Sequence, residues 1–171
     1  MKQWIGIIIL ALAVTMTSAC REQQYIHVGK NWDALNQLEA PENAFRVAAS
    51  GRRAATVGDE MRFSVTSDRD GRLWVAQVGP DDEVSVLYPN EVARENRIEA
   101  GETVHIPPPG AEWVIAAEPP LGRSIIAFVV TTGDTDLSDV LSSPEDAEKT
   151  LRIVQRNDWG MDKLVIDTRE E

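Results

Sequence analysis

The chain has 171 residues, with 17 basic and 28 acidic side chains and a net charge of −11. An acid excess of that size repels polyanions, so nucleic acid is excluded as a partner reached by charge, and so is a membrane of anionic headgroups. A single cysteine rules out an intramolecular disulfide, and the length suits one domain with a real core.

The first element is an apolar run from Trp4 to Val14, preceded by Lys2. It is about half the ~20 residues a bilayer-spanning helix needs, so it is expected to be the core of an export signal. The run closes on Thr17-Ser18-Ala19-Cys20, a stretch that resembles the bacterial lipobox, with Thr17 in the place usually held by Leu. The resemblance implies cleavage before Cys20 and lipid attachment there. Several acyl chains on one residue hold a membrane stably, whereas one chain binds only marginally. Arg21 follows the cysteine, and in lipoproteins that it resembles the absence of Asp at this place favours the outer membrane, facing the periplasm. The expected layout is a signal segment at 1–19, a lipidated cysteine and tether at 20–30, and one β-rich globular domain at 31–171. Loss of residues 1–19 removes one base, Lys2, and no acid. The membrane is therefore a partner through lipid on Cys20 rather than through charge.

Beyond the tether, Asn31 is placed to cap a short helix carrying Trp32, Leu35 and Leu38 on one side, with Pro41 ending it. A strand is expected over Phe45 to Ala49. From Met61 onward the period becomes two: Phe63 and Val65 alternate with Arg62, Ser64 and Thr66. The turn at Ser67 to Gly71 leads into Leu73 to Val78, apolar on both faces and hence central, and Gly79-Pro80-Asp81-Asp82 leads on to Val84, Val86 and Tyr88. These three segments are expected to form a meander. Further strands are expected at Thr103 to Ile106, Glu112 to Ala117, Ser124 to Thr131 and Lys163 to Asp167, with Pro107 to Gly110 and Pro119 to Gly122 as breakers. Ser143-Pro144-Glu145-Asp146 has the signature of a helix start, followed by Ala147, Leu151 and Val154 at helical spacing. The fold class predicted is mainly β, an antiparallel β-sandwich or open barrel with one short N-terminal and one C-terminal helix.

Gly58 to Val65, Asp70 to Val75, Val86-Leu87-Tyr88-Pro89-Asn90, Asn96 to Gly101, Ile106-Pro107 and Pro120-Leu121-Gly122 follow one another in order. Together, over roughly residues 55–132, they resemble the domain of unknown function 4384 family. That resemblance implies a β-rich module found in bacterial envelope lipoproteins and fused elsewhere to kinases and caspase-like peptidases, and it brings no catalytic residues with it. Gly71 and Gly101 fit positions where a side chain would clash.

No catalytic constellation is evident and none is expected. Asp68, Asp70 and Gly71 match part of a calcium loop, but Arg72 and Gly79 stand where oxygen ligands belong, so a hairpin turn is the better reading. His27 and His105 have no neighbouring His or Cys at ligand spacing, so neither a metal nor another cofactor is expected. No G-x-S-x-G is present, and His105 has no evident partner for serine hydrolysis. Tyr88, Asn90, Asn96 and Arg97 cluster around one connection, with Trp74 near in sequence, and form the expected binding surface. The preferred expectation is a non-catalytic, membrane-anchored module that binds another envelope protein. Its alternatives are a periplasmic carrier with a pocket lined by Trp74, Tyr88 or Trp113, and a hydrolase with an unrecognised site.

Overall fold

The computed structural model describes residues 29–40, 44–133, 137 and 159–170. Cys20, the tether up to residue 28 and the helix expected from Ser143 lie outside the described residues.

One helix is present among the described residues, α1 at Lys30–Gln37. The strands in chain order are β1 Val47–Gly51, β2 Ala54–Thr56, β3 Glu60–Met61, β4 Phe63–Ser67, β5 Gly71–Val78, β6 Val84–Tyr88, β7 Arg97–Ile98, β8 Thr103–Ile106, β9 Ile115–Ala116, β10 Gly122–Thr131 and β11 Trp159–Arg169. A small sheet has the order β1-β4-β8. A large one has the order β2-β11-β10-β5-β6, with β7 also on β5, and β3 pairs with β9. Every pairing is antiparallel except that of β2 with β11. The fold is mainly β, and it is not a closed barrel, since among the described residues both main sheets end in strands with no neighbour on one side.

The two-residue period explains the small sheet. Phe63, Val65 and Ser67 of β4 are buried while Ser64 and Thr66 between them are half-buried. Phe63, Val65 and Ile106 pack across the core onto Leu73, Val75, Ile126, Phe128, Leu164 and Ile166 of the large sheet. Phe63 and Phe128 meet edge-on with centroids 5.3 Å apart, the arrangement aromatic quadrupoles prefer.

The other face of the large sheet is also covered, which accounts for the two-sided apolarity of β5 and β10. Trp74, Ala127, Val129 and Trp159 form a second core with Leu137, and Leu35, Leu38, Ala40 and Met161 pack against it. Alternation along β5 sends Leu73 and Val75 to one core and Trp74 to the other.

The structure corrects the expected meander. β5 and β6 are paired, but β4 joins the opposite sheet, so the turn at Ser67 to Gly71 crosses between layers. Of the strand expected at Glu112 to Ala117, only Ile115–Ala116 is extended and paired. Gly71 begins β5, where a Cβ would stand 2.5 Å from the Thr131 carbonyl oxygen, and Gly101 has φ 79°. The first glycine is demanded by close approach and the second by backbone conformation.

The cap of α1 is also corrected. Gly29 is the N-cap residue and supplies no side-chain bond. Asp82, in the β5–β6 turn, does so instead: its Oδ1 accepts from Trp32 N at 2.8 Å and its Oδ2 from Asn31 N at 3.2 Å. Asn31 donates through Nδ2 to the Asp82 carbonyl at 2.9 Å. At the other end, Lys163 Nζ donates to the carbonyls of Asn36 at 2.7 Å, Leu38 at 2.8 Å and Leu35 at 3.3 Å. A carboxylate at the positive end of the helix and an ammonium at the negative end fasten α1 to the sheet.

Candidate binding cleft

Where the small sheet stops short, one end of the inner face of the large sheet stays open. The β5–β6 turn bounds it on one side, shaped by Gly79 N donating to Glu83 O at 2.9 Å and Glu83 N to Asp81 Oδ1 at 3.2 Å. Asp82, at φ 67°, completes the reversal. The run from Ile115 to Pro120 bounds the other side. It is held by the β3–β9 pairing, by Ala117 N donating to Asp59 O at 2.9 Å and by Gly58 N donating to Ala117 O at 2.8 Å.

Between them is a cleft of about 340 Å³, at the lower end of the range of small-ligand sites. Met61, Phe63, Ile126 and Ile166 give it an apolar floor, and Gln77, Ser85, Ser124 and Thr168 place polar groups on it. Ser124 and Thr168 are 6% and 7% exposed. Ser124 lies two residues from Ile126, and Thr168 two from Ile166, so both share the core-facing side of their strands. Ser124 Oγ accepts from Gln77 Nε2 at 3.4 Å, and the Thr168 hydroxyl has no hydrogen-bond partner among the described residues. Asp81, Glu83 and Glu118 line the mouth, and among the described residues no Lys, Arg or His lines the cleft.

The residues expected to form a binding surface lie elsewhere and do not share one face. Trp74 is 2% exposed in the second core, and its Nε1 donates to Thr131 Oγ1 at 3.2 Å. Tyr88 is buried in the first core and its hydroxyl donates to the Glu95 carbonyl; burial, and then the Glu95 charge, push its pKa above the usual 10. Asn96 is 6% exposed, and its carbonyl accepts from Leu73 N at 2.7 Å. Asn90 closes its own turn, with Oδ1 accepting from Ala93 N at 2.8 Å and Nδ2 donating to Leu87 O at 3.2 Å. Only Arg97 of the five is exposed. Trp74, Tyr88 and Trp113 are all absent from the cleft lining, so the aromatic pocket expected of a carrier is replaced by one floored with aliphatic side chains and Phe63.

Asp70 Oδ1 accepts from Ala100 N at 2.7 Å, consistent with the turn reading of that stretch. Among the described residues no group of three His, Cys, Asp or Glu is placed to hold a metal. His105 does have a neighbour that its sequence context hides: Ser64 on β4 lies opposite it in register, with Oγ 3.0 Å from Nδ1. The pair is on the exposed face of the small sheet.

Residues 55–134 match the family model described as domain of unknown function (DUF4384). Over that span the chain resembles this family. The matched span runs from β2 through β10 and includes most of the cleft, whereas Ile166 and Thr168 come from β11, beyond it. β11 nonetheless lies between β2 and β10 in the large sheet, so a strand outside the matched span completes the domain. No curated protein and no solved structure matches the chain. No helix among the described residues is long and apolar enough to cross a membrane.

Proposed function

We propose that this is a non-catalytic lipoprotein of the bacterial envelope, held at the outer membrane by lipid on Cys20, whose DUF4384 domain binds another envelope protein. The observation that carries the reading is the open, acid-rimmed cleft at one end of the sandwich, a concave surface with both apolar and hydrogen-bonding capacity. The lipobox-like stretch ending at Cys20 supports the anchor, and the acid excess leaves lipid as the means of attachment.

The test has two arms. Metabolic labelling with an alkyne fatty acid is expected to mark the wild-type chain and not Cys20→Ser, and labelling of both or neither overturns the anchor. Photo-crosslinking in intact envelopes from a benzoylphenylalanine in place of Ser85 is expected to capture one defined protein. A ladder of unrelated products, identical to that from a probe at exposed Arg97, overturns the binding role.

A further inference from the structure

Resting on that reading, we propose that the cleft takes an extended, lysine- or arginine-bearing segment of the partner protein, added as a strand along β6 with a cationic side chain in the mouth. Three observations converge on this occupant.

The first is charge. Asp81, Glu83 and Glu118 line the cleft, with no cation lining it among the described residues. Asp81 is engaged by the turn backbone, whereas Glu83 and Glu118 have no side-chain hydrogen bond or ion pair among the described residues. Both are exposed, so two unneutralised carboxylates face solvent at the opening. A cationic group is the complement of such a mouth.

The second is the sheet edge. β6 is the last strand of the large sheet, and among the described residues no strand pairs on its outer side. An outer strand presents backbone N–H and C=O groups along one margin, a ready template for another extended chain. Ser85 and Leu87 of β6, and Glu83 just before it, stand at alternate positions and line the cleft, together with Val84. A segment pairing with β6 therefore directs every second side chain toward the cavity.

The third is the floor. Met61, Phe63, Ile126 and Ile166 can take the stem of a long side chain or a neighbouring aliphatic one. The hydroxyl of Thr168, a residue 7% exposed, has no partner among the described residues and can hydrogen-bond what enters.

The probe is a synthetic pentapeptide, acetyl-Val-Lys-Val-Lys-Val-amide, titrated into the isotope-labelled full chain in detergent and followed by amide resonances. The expected result is saturable shifts at Ser85, Leu87, Ser124 and Thr168. Affinity is expected to fall roughly tenfold or more for the Val-Glu-Val-Glu-Val peptide, for an N-methylated lysine peptide that cannot pair as a strand, and for Glu83→Gln/Glu118→Gln. Both changes are isosteric and at exposed positions, and an unchanged spectrum elsewhere establishes that the variant is folded. Equal affinity for the glutamate peptide, or shifts confined to other surfaces, overturns the proposal. Equal response to spermidine also overturns it, because the cleft would then be a site for small cations. Capture of one protein in the envelope crosslinking, insensitive to Glu83→Gln/Glu118→Gln, leaves the binding role standing and removes this occupant alone.

Discussion

Asp82 Oδ1 accepts a hydrogen bond from Trp32 N across 2.8 Å, tying the β5–β6 turn to the first turn of α1, 50 positions earlier in the chain. Asp82→Asn retains one acceptor oxygen and tolerates the left-handed backbone, but loses the negative charge at the helix N-terminus. A cost of about 1 kcal/mol is expected, and about 2 kcal/mol for Asp82→Ala, which also strains φ 67°. Urea unfolding measures the cost. Hydrogen exchange should speed at α1 amides while β10 keeps its protection, and uniform loss in both would contradict a local tie.

Lys163 holds the opposite end of α1, and Lys163→Met is expected to cost about 1 kcal/mol by leaving three carbonyls without their ammonium. Combined with Asp82→Asn, the loss should be smaller than the two single losses together. Once the helix has left the sheet, the second fastening has nothing to hold. Strict additivity in the double-mutant cycle would show that α1 does not detach as a unit.

These two fastenings also show where the sequence is legible. The helix itself is readable from Trp32, Leu35 and Leu38, and the cores of β4, β5, β6, β8 and β10 from alternation and turn residues, because those signals are local. The partners of α1 come from a turn and a strand far along the chain, and nothing near Asp82 or Lys163 announces them. The same applies to the cleft. Gly79 to Asp82 read as a connection between strands and Pro119 to Gly122 as a breaker, and only the crossing of β4 into the opposite sheet leaves the space that makes them two sides of one cavity. Trp74 misleads in the other direction, because an aromatic in a two-sided apolar strand gives no hint of which face is covered.

Trp74 should therefore matter for stability. Trp74→Ala is expected to cost about 3–5 kcal/mol by emptying the second core, and Trp74→Phe rather less, by removing the bond to Thr131 and part of the ring. Arg97→Ala at the exposed end of the same connection should stay within about 0.5 kcal/mol. Thermal unfolding followed by circular dichroism checks all three, and a neutral Trp74→Ala would mean that this core is not packed around the indole.

Tyr88 supplies a test in alkali. Burial, with Glu95 adding to it, raises its pKa above 10, so the folded chain keeps the phenolic proton over a range where the unfolded chain has lost it. The unfolded state then binds fewer protons, and stability falls as pH rises past about 10. Tyr88→Phe should flatten that part of the stability profile, and the difference between wild-type and variant absorbance titrations should have its midpoint above 10. A difference curve centred at or below 10 would refute the burial argument.

Gly71→Ala is expected to destabilise by about 1–3 kcal/mol, since the new methyl would press on the Thr131 carbonyl and on Val130 Cγ1. A melting temperature equal to that of the wild type would mean that β5 and β10 can separate locally at no cost.

The turn from Gly79 to Glu83 belongs to two structures at once: Asp82 grips α1, while Asp81 and Glu83 on either side of it line the cleft. In a chain held at Cys20, tension entering at Gly29 is borne first by the N-terminal hydrogen bonds of α1 and passes through Asp82 into the rim of the cavity. Were the proposed lipid to hold the chain and a partner to fill the cleft, load on the anchor and occupancy of the cleft would meet at the same five residues.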